Sequence, residues 1–257
     1  MKVIILAGGL GTRISEETSD KPKPMVLIDS QPILWHLMNT FALQGFDEFV
    51  IALGYRGDVI KRWLLDLSDL SGDLEIDLSN KNVRNLGINQ STNWKVHALE
   101  TGLNTQTGGR IKKCMNKFPN ERVLATYGDG LANVSIKTLI EYHKSHGKLA
   151  TVTAVRPPAR FGHMLLEGNQ VVEFGEKNQA DVGWINGGFF ILEPEVANYI
   201  SKDDDAFEKV ALPRLANDGE LMAYYHEGFW QPMDTLSEKK YLEQQAKLST
   251  PPWLQIK

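Results

Sequence analysis

The sequence predicts an α/β protein built on a doubly wound, mostly parallel sheet, with helices on both faces and a small, partly antiparallel layer towards the C-terminus. Two observations predict this fold class. Apolar runs with the length of buried strands alternate with helical patterns over the first 155 residues, and short strands with turns follow after Pro157. Because 42% of the 257 residues are apolar, we expect one domain over residues 1–257, with halves at 1–155 and 156–257.

The strands of the first half are apolar on both faces, as the central strands of a parallel sheet are. They are expected at residues 3–7, 49–53, 122–127 and 149–155. Helices are expected between them from Pro32, Asp58 and Ser135, and the first and last of these run into a glycine that marks a helix end. This alternation indicates a Rossmann-like sheet that is covered on both faces.

The second half predicts a different arrangement. Short strand patterns lie in HMLLEGNQVVEFGEK, WINGGFFIL and ELMAYYHEGF. A helix is expected around residues 208–217, and a terminal helix from Ser237 to about Leu248. The asparagine-rich segment from Asn80 to Asn93 fits no element, and we expect it to be a mobile loop.

Charge and composition exclude several classes of protein. Lysine and arginine number 28 against 32 acidic residues, and the net charge of −4 gives no basic surface for nucleic acid. Cys114 is the only cysteine, so an internal disulfide is excluded and a reducing, cytoplasmic location is expected. No apolar run approaches the roughly 20 residues of a membrane span.

A glycine-rich turn follows the first strand in LAGGLGTR, and it is followed by KPKPM. Glycines at the carboxyl end of a strand let backbone N–H groups approach a phosphate, although they also suit any tight turn. The dinucleotide fingerprint fails because Ile14 stands where the third glycine is required, and the Walker pattern fails as well. The prolines predict an extended backbone in which Lys21 and Lys23 point the same way, towards the loop or into solvent.

LAGGLGTR followed by KPKPM resembles the fingerprint of the sugar-1-phosphate nucleotidyltransferases. The resemblance covers essentially the whole chain and continues in YGDG at 127–130, EK at 176–177, NGG at 186–188 and the late aspartate of GFWQPMDT. Within the family, TGGR at 107–110, YGDG and GFWQPMDT are most similar to members that make CDP-glucose from CTP and glucose 1-phosphate. The resemblance therefore implies an enzyme with these two substrates.

The resemblance also implies site residues. Arg13 and Lys23 would be catalytic, neutralising phosphate charge. The nucleotide site would comprise Leu6, Ala7, Gly8, Gly9, Leu10, Gly11, Thr12, Arg13, Lys23, Thr105, Arg110 and Asp129. The sugar-phosphate site would comprise Glu176, Lys177, Asn186, Gly187, Gly188 and Trp230. Mg²⁺ would be the cofactor, held by Asp129 and Asp234.

Several of these residues have ordinary structural alternatives. Asp129 could be a turn residue, and Asp234 could be the N-cap of the terminal helix. Glu176 and Lys177 could form a surface ion pair, and the NGG sequence suits a turn. Trp230 could pack in the interior as well as line a sugar site.

Other functions also stay open at this stage. A thymidylyl- or uridylyltransferase on the same sugar phosphate is the first alternative, but the glutamine-containing, base-reading segment usual in those relatives has no match here. A non-catalytic sensor of nucleotide or CDP-sugar is the second. The resemblance further implies nucleotide-sugar biosynthesis for lipopolysaccharide O-antigen and a homo-oligomer, with six subunits expected; a light-scattering mass measurement tests that number.

Overall fold

An eight-stranded, mostly parallel sheet forms the centre of the computed structural model, which describes residues 1–69, 73–85, 93–157, 162–167, 170–176 and 183–256. The strands in chain order are β1 (Val3–Leu6), β2 (Leu27–Ile28), β3 (Gln31–Pro32), β4 (Glu48–Leu53), β5 (Leu74–Asp77), β6 (Asn82–Asn85), β7 (Lys95–Glu100), β8 (Val123–Tyr127), β9 (Gly130–Ala132), β10 (Ala150–Val155), β11 (Gly162–Glu167), β12 (Gln170–Glu176), β13 (Ile185–Asn186), β14 (Phe190–Leu192), β15 (Leu221–His226) and β16 (Trp230–Pro232). The helices are α1 (Ser15–Thr18), α2 (Ile33–Ala42), α3 (Gly57–Asp69), α4 (Thr107–Lys117), α5 (Ile136–His146), α6 (Ala211–Asn217) and α7 (Leu236–Ala246).

The strand order of the central sheet is β13-β10-β14-β8-β1-β4-β7, and β15 pairs with β10. β8, β1, β4 and β7 are parallel, whereas β14 runs antiparallel to β8. In the centre of the sheet, Val3 lies between Phe49 and Leu124. The carboxyl ends of β1 and β8 therefore lie side by side, where open α/β sheets bind ligands.

Two apolar cores lie on opposite faces of this sheet, because successive strand residues point to opposite sides. In β4, Phe49 and Ile51 belong to the core that contains α2 and Trp253. Val50 and Ala52 belong to the other core, which contains buried residues of α4 and α6. The predicted fold class, a mostly parallel sheet with helices on both faces, is confirmed.

The structure differs from the sequence prediction at several elements. β7 and α4 were not predicted. β6 occupies part of the predicted loop Asn80–Asn93 and pairs with β5, while residues 86–92 lie outside the described part of the chain. In the region of the expected, partly antiparallel C-terminal layer, β13 and β14 join the central sheet through antiparallel pairs, β15 joins it parallel to β10, and β11 and β12 form a two-stranded sheet of their own. Among the described residues, no helix is both long and apolar enough to cross a membrane.

Candidate active site

A cavity of about 1090 Å³ lies at the carboxyl ends of β1 and β8. It brings together residues from distant parts of the chain that the sequence analysis had singled out. These lining residues are Leu6, Ala7, Gly8, Gly9, Leu10, Gly11, Thr12, Arg13, Lys23, Thr105, Arg110, Asp129, Asn186, Gly187, Trp230 and Asp234. Gly188 lies beside the lining residue Gly187. Lys177 and the side chain of Glu176 fall outside the described part of the chain.

Arg110 supports the glycine loop from inside the protein. Its side chain is buried, and its two terminal nitrogens donate to the carbonyl oxygens of Gly8 at 2.9 Å, Leu53 at 2.8 Å and Leu103 at 3.3 Å, and to the Thr101 hydroxyl at 2.5 Å. A Cβ atom on Gly8 would lie 2.2 Å from Nη1, so only glycine leaves room for this guanidinium. Arg110 therefore holds together the loops that surround the predicted nucleotide site.

Burial lowers the pKa of Arg110 from its ordinary value, yet an arginine keeps its charge at neutral pH. Within the described part of the chain, the ion pairs found at 4 Å or less do not include Arg110. Carbonyl and hydroxyl oxygens thus accept hydrogen bonds from its two terminal nitrogens, and no described carboxylate forms an ion pair with it. A positive charge beneath the loop favours an anion above it.

Lys23 forms the centre of a charged cluster with Arg13, Asp129 and Asp234. Its ammonium lies 2.6 Å from Oδ2 of Asp129 and 2.6 Å from Oδ1 of Asp234. Arg13 Nη1 lies 2.6 Å from Oδ2 of Asp234, although its side chain is 73% exposed. Burial disfavours the ammonium of Lys23, but the two carboxylates outweigh burial, so the pKa of Lys23 lies above its ordinary value.

The expectation that Lys21 and Lys23 share an extended backbone is wrong. Pro22 is extended, but residues Lys23–Met25 form a 3-10 turn. Lys21 contacts Glu17 at 4.0 Å on α1, whereas the Lys23 side chain is only 8% exposed. The turn separates the two lysines, and only Lys23 lies in the cavity lining.

A two-stranded ribbon fixes the spacing of Asp129 and Asp234. β9 and β16 pair antiparallel, and the amide of Met233 donates to the carbonyl of Asp129 at 2.8 Å. Glu238 then accepts from the amides of Asp234 at 2.7 Å and Thr235 at 2.9 Å. Thr235, not Asp234, is the N-cap of α7, which leaves both carboxylate oxygens of Asp234 to the charged cluster.

The two aspartates fit a magnesium site that substrates complete. The described residues contain no group of three or more His, Cys, Asp or Glu that could hold a metal ion by themselves. Mg²⁺ in proteins that act on phosphates is often bound by one or two carboxylates, with phosphate oxygens and water filling the other positions. Asp129 and Asp234 supply that number of ligands on one wall of the cavity.

The NGG sequence forms a bulge instead of a turn between two hairpin strands. In the pairing of β10 with β13, Ala154 lies opposite Asn186, and in its pairing with β14, Thr151 lies opposite Ile191. Residues 152–153 of β10 therefore lie opposite the four residues 187–190. The Trp230 indole donates to the carbonyl of Gly187 at 2.8 Å. Asn186, Gly187 and Trp230 all belong to the lining of the cavity.

Three polar lining residues were missed by the sequence analysis as site residues. Tyr127, Thr107 and Glu208 line the cavity, and Glu208 accepts hydrogen bonds from the hydroxyls of the other two. Tyr127 and Thr107 lie inside the quoted motifs YGDG and TGGR, but neither motif indicated a partner. No signal in the sequence marks Glu208, which lies in an irregular segment before α6.

Comparisons with known proteins agree on one family. The family model described as nucleotidyl transferase matches residues 2–250. Glucose-1-phosphate cytidylyltransferases from Salmonella typhi and from Salmonella typhimurium are each 45% identical to this chain over 254 residues, which are 98% of either chain. Among solved structures, HddC from Yersinia pseudotuberculosis has a TM-score of 0.70 at 25% identity and covers 96% of this chain and 99% of its own.

The role of Arg110 can be tested by its effect on stability. Arg110→Met should lower the free energy of unfolding by about 3 kcal/mol, because several buried acceptors lose a charged donor at once. Arg214→Met, at an exposed arginine whose contacts are 3.4 Å or longer, should change it by less than about 0.5 kcal/mol. Denaturant unfolding monitored by circular dichroism measures both. A loss below about 1 kcal/mol for Arg110→Met would contradict a supporting role.

Proposed function

Because this chain belongs to the nucleotidyl transferase family, we propose that it transfers the cytidylyl group of CTP to α-D-glucose 1-phosphate, forming CDP-glucose and pyrophosphate. The observation that carries the choice of substrates is the 45% identity, over 98% of the chain, to cytidylyltransferases that are named for glucose 1-phosphate. The cavity supports the reaction type, since it combines a glycine loop, two cationic side chains and two carboxylates. These are the groups that a reaction between two phosphates requires.

The chemistry is an attack of the sugar-phosphate oxygen on the α-phosphorus of CTP, with pyrophosphate leaving in line. The attacking oxygen already carries negative charge near neutral pH, so no side chain has to remove a proton. The protein must instead bring several negative charges together and keep them aligned. In this mechanism the backbone of residues 8–12 binds the nucleotide, and the bulge at 186–188 receives the hexose.

Lys23 can contact a phosphate without leaving its carboxylates. An ammonium group has three donors, and Asp129 and Asp234 occupy two of them. The third donor is available to a phosphate oxygen in the cavity. Arg13 contacts Asp234 through Nη1, and its exposed guanidinium can turn its remaining donors towards the phosphates. Both residues therefore neutralise charge where it develops in the transition state.

The proposed mechanism also includes Mg²⁺. When bound by Asp129 and Asp234, it would neutralise phosphate charge and hold the reacting phosphates together. Glu176 and Lys177 are proposed, from the family resemblance, to bind the sugar hydroxyls and the sugar phosphate. The proposal also includes a homohexamer and a role in nucleotide-sugar biosynthesis for O-antigen, and the subunit number rests on the resemblance alone.

The first prediction from the proposed function concerns Lys23, with Lys21 as a matched control in the same KPKP run. Lys23→Ala should lower turnover by about 10²–10³-fold, because charge in the transition state loses a buried cation. Lys21→Ala should change turnover by less than about twofold, since this side chain contacts only Glu17 among its described ion pairs. Turnover is measured well below each variant's melting temperature, because Lys23→Ala also leaves two carboxylates without their shared cation. Equal activity of the two variants would remove Lys23 from the mechanism.

The second prediction concerns the metal. EDTA should abolish turnover and added Mg²⁺ should restore it, and Asp129→Asn or Asp234→Asn should each reduce turnover on the order of 10²-fold. Asp218→Asn is the control, because that carboxylate contacts Tyr199 outside the cavity. The measurement is the initial rate of pyrophosphate release over a titration of free Mg²⁺. Turnover that persists in EDTA would exclude the metal pair.

The third prediction tests the proposed reaction itself. Pyrophosphate release is followed with glucose 1-phosphate and Mg²⁺, in parallel reactions with CTP, UTP and dTTP. CTP should be favoured by more than about 200-fold in kcat/KM if hydrogen bonds read the base, because shape alone discriminates by about 10–200-fold. Release with UTP or dTTP but not with CTP would replace the cytidylyl assignment. Tight CTP binding without release would favour the non-catalytic sensor.

A further inference from the structure

The first turn of α4 lies directly on the backbone of residues 203–207. The amides of Gly108 and Gly109 both donate to the carbonyl of Asp205, at 3.0 and 3.3 Å. A Cβ atom would lie 2.6 Å from that oxygen at Gly108, and 2.4 Å from the carbonyl oxygen of Asp203 at Gly109. The two glycines of TGGR thus allow a contact that no side chain would permit, and this contact fixes the segment that leads to Glu208.

Glu208 connects α4 to the end of β8. Its Oε2 accepts a hydrogen bond from the Thr107 hydroxyl at 2.7 Å, and its Oε1 accepts one from the Tyr127 hydroxyl at 2.6 Å. The Thr107 oxygen is held in turn by the amide of Phe207 at 2.8 Å. Each carboxylate oxygen of Glu208 therefore has a fixed partner, one on α4 and one at the end of β8.

These contacts fix which group donates and which accepts in the hydrogen bonds that lead from Glu208 through Tyr127 to Asn186. An ionised carboxylate only accepts, so Tyr127 must donate its proton to Glu208. The Tyr127 oxygen then accepts from the Asn186 side-chain nitrogen at 3.0 Å, and the Asn186 side-chain oxygen accepts from the amide of Gly188 at 2.9 Å.

We infer that Glu208 is a positioning residue for the sugar phosphate, acting through Tyr127 to hold the Asn186 amide in one orientation. The inference rests on the proposed function, in which Asn186 binds the hexose. An amide has a donor end and an acceptor end, so its orientation decides whether a sugar hydroxyl beside it accepts or donates. Through Tyr127, Glu208 holds the donor end of this amide, while the backbone amide of Gly188 holds its acceptor end, and Glu208 does so without having to touch the hexose.

The test is steady-state kinetics with CTP and glucose 1-phosphate. Glu208→Ala and Tyr127→Phe should each raise the KM for glucose 1-phosphate about tenfold, the effect of losing one well-formed hydrogen bond. Turnover and the KM for CTP should change by less than about threefold. Glu208→Gln should restore the KM to within about threefold of wild type, because its amide oxygen can still accept from Tyr127.

A double-mutant cycle separates this role from a general loss of structure. If Glu208 acts through Asn186, the double variant Glu208→Ala/Asn186→Ala should have the same KM as Asn186→Ala alone. Glu193→Ala is the matched control, because Glu193 is also a partly buried glutamate with two partners, Arg122 and His143, but lies outside the cavity lining. It should lower stability without changing either KM. If Glu208→Ala does not fold, Tyr127→Phe and Glu208→Gln provide the same comparison.

The outcomes distinguish this inference from the proposed function. A wild-type protein that releases no pyrophosphate overturns the proposed function, and this inference with it. An active wild type with an unchanged KM for glucose 1-phosphate in Glu208→Ala and Tyr127→Phe overturns the inference alone. The inference is also overturned if the KM of the double variant for glucose 1-phosphate rises by the product of the two single increases, because Glu208 and Asn186 would then act independently.

Discussion

The ion pairs from Lys23 to Asp129 and Asp234 are the interaction on which the site depends. They join three segments that are far apart in the sequence: the turn after the glycine loop, the end of β8, and the start of α7. Two carboxylates this close to one another repel unless a cation lies between them. Because the ammonium is almost fully buried, removing it would leave two charges partly desolvated, which costs more than an exposed ion pair contributes.

The family resemblance identified the members of this cluster, but the sequence could not give their contacts. Arg13, Lys23, Asp129 and Asp234 were all predicted as site residues, and all four line one cavity. The contact between Lys23 and two aspartates more than a hundred positions away depends on tertiary structure, which no local pattern encodes. The 3-10 turn at Lys23 was mispredicted for a related reason, since proline fixes φ but leaves ψ to the surrounding contacts.

The fold was more predictable than the site because its signals are periodic. Runs such as Phe49–Leu53 are apolar on both faces, and both faces are in fact buried. α4 and β7 are among the elements that were not predicted, because they lack such signals. The first turn of α4 contains two glycines, which have low helix propensity and which allow the close contact with residues 203–207. β7 is an edge strand of mixed polarity, and its residues are only partly buried.

The pairing of β9 with β16 affects the free energy of substrate binding. Asp129 and Asp234 lie at the two ends of a long segment of the chain that contains α5, α6 and, between the ribbon strands β9 and β16, six strands of the described structure. Closing a flexible segment of that length costs on the order of 4 kcal/mol of chain entropy. Because the β9–β16 ribbon already joins Asp129 to Asp234 in the folded protein, this entropy is lost during folding and not during substrate binding. The site is therefore preorganised, and the free energy of substrate binding remains available for aligning the reacting phosphates.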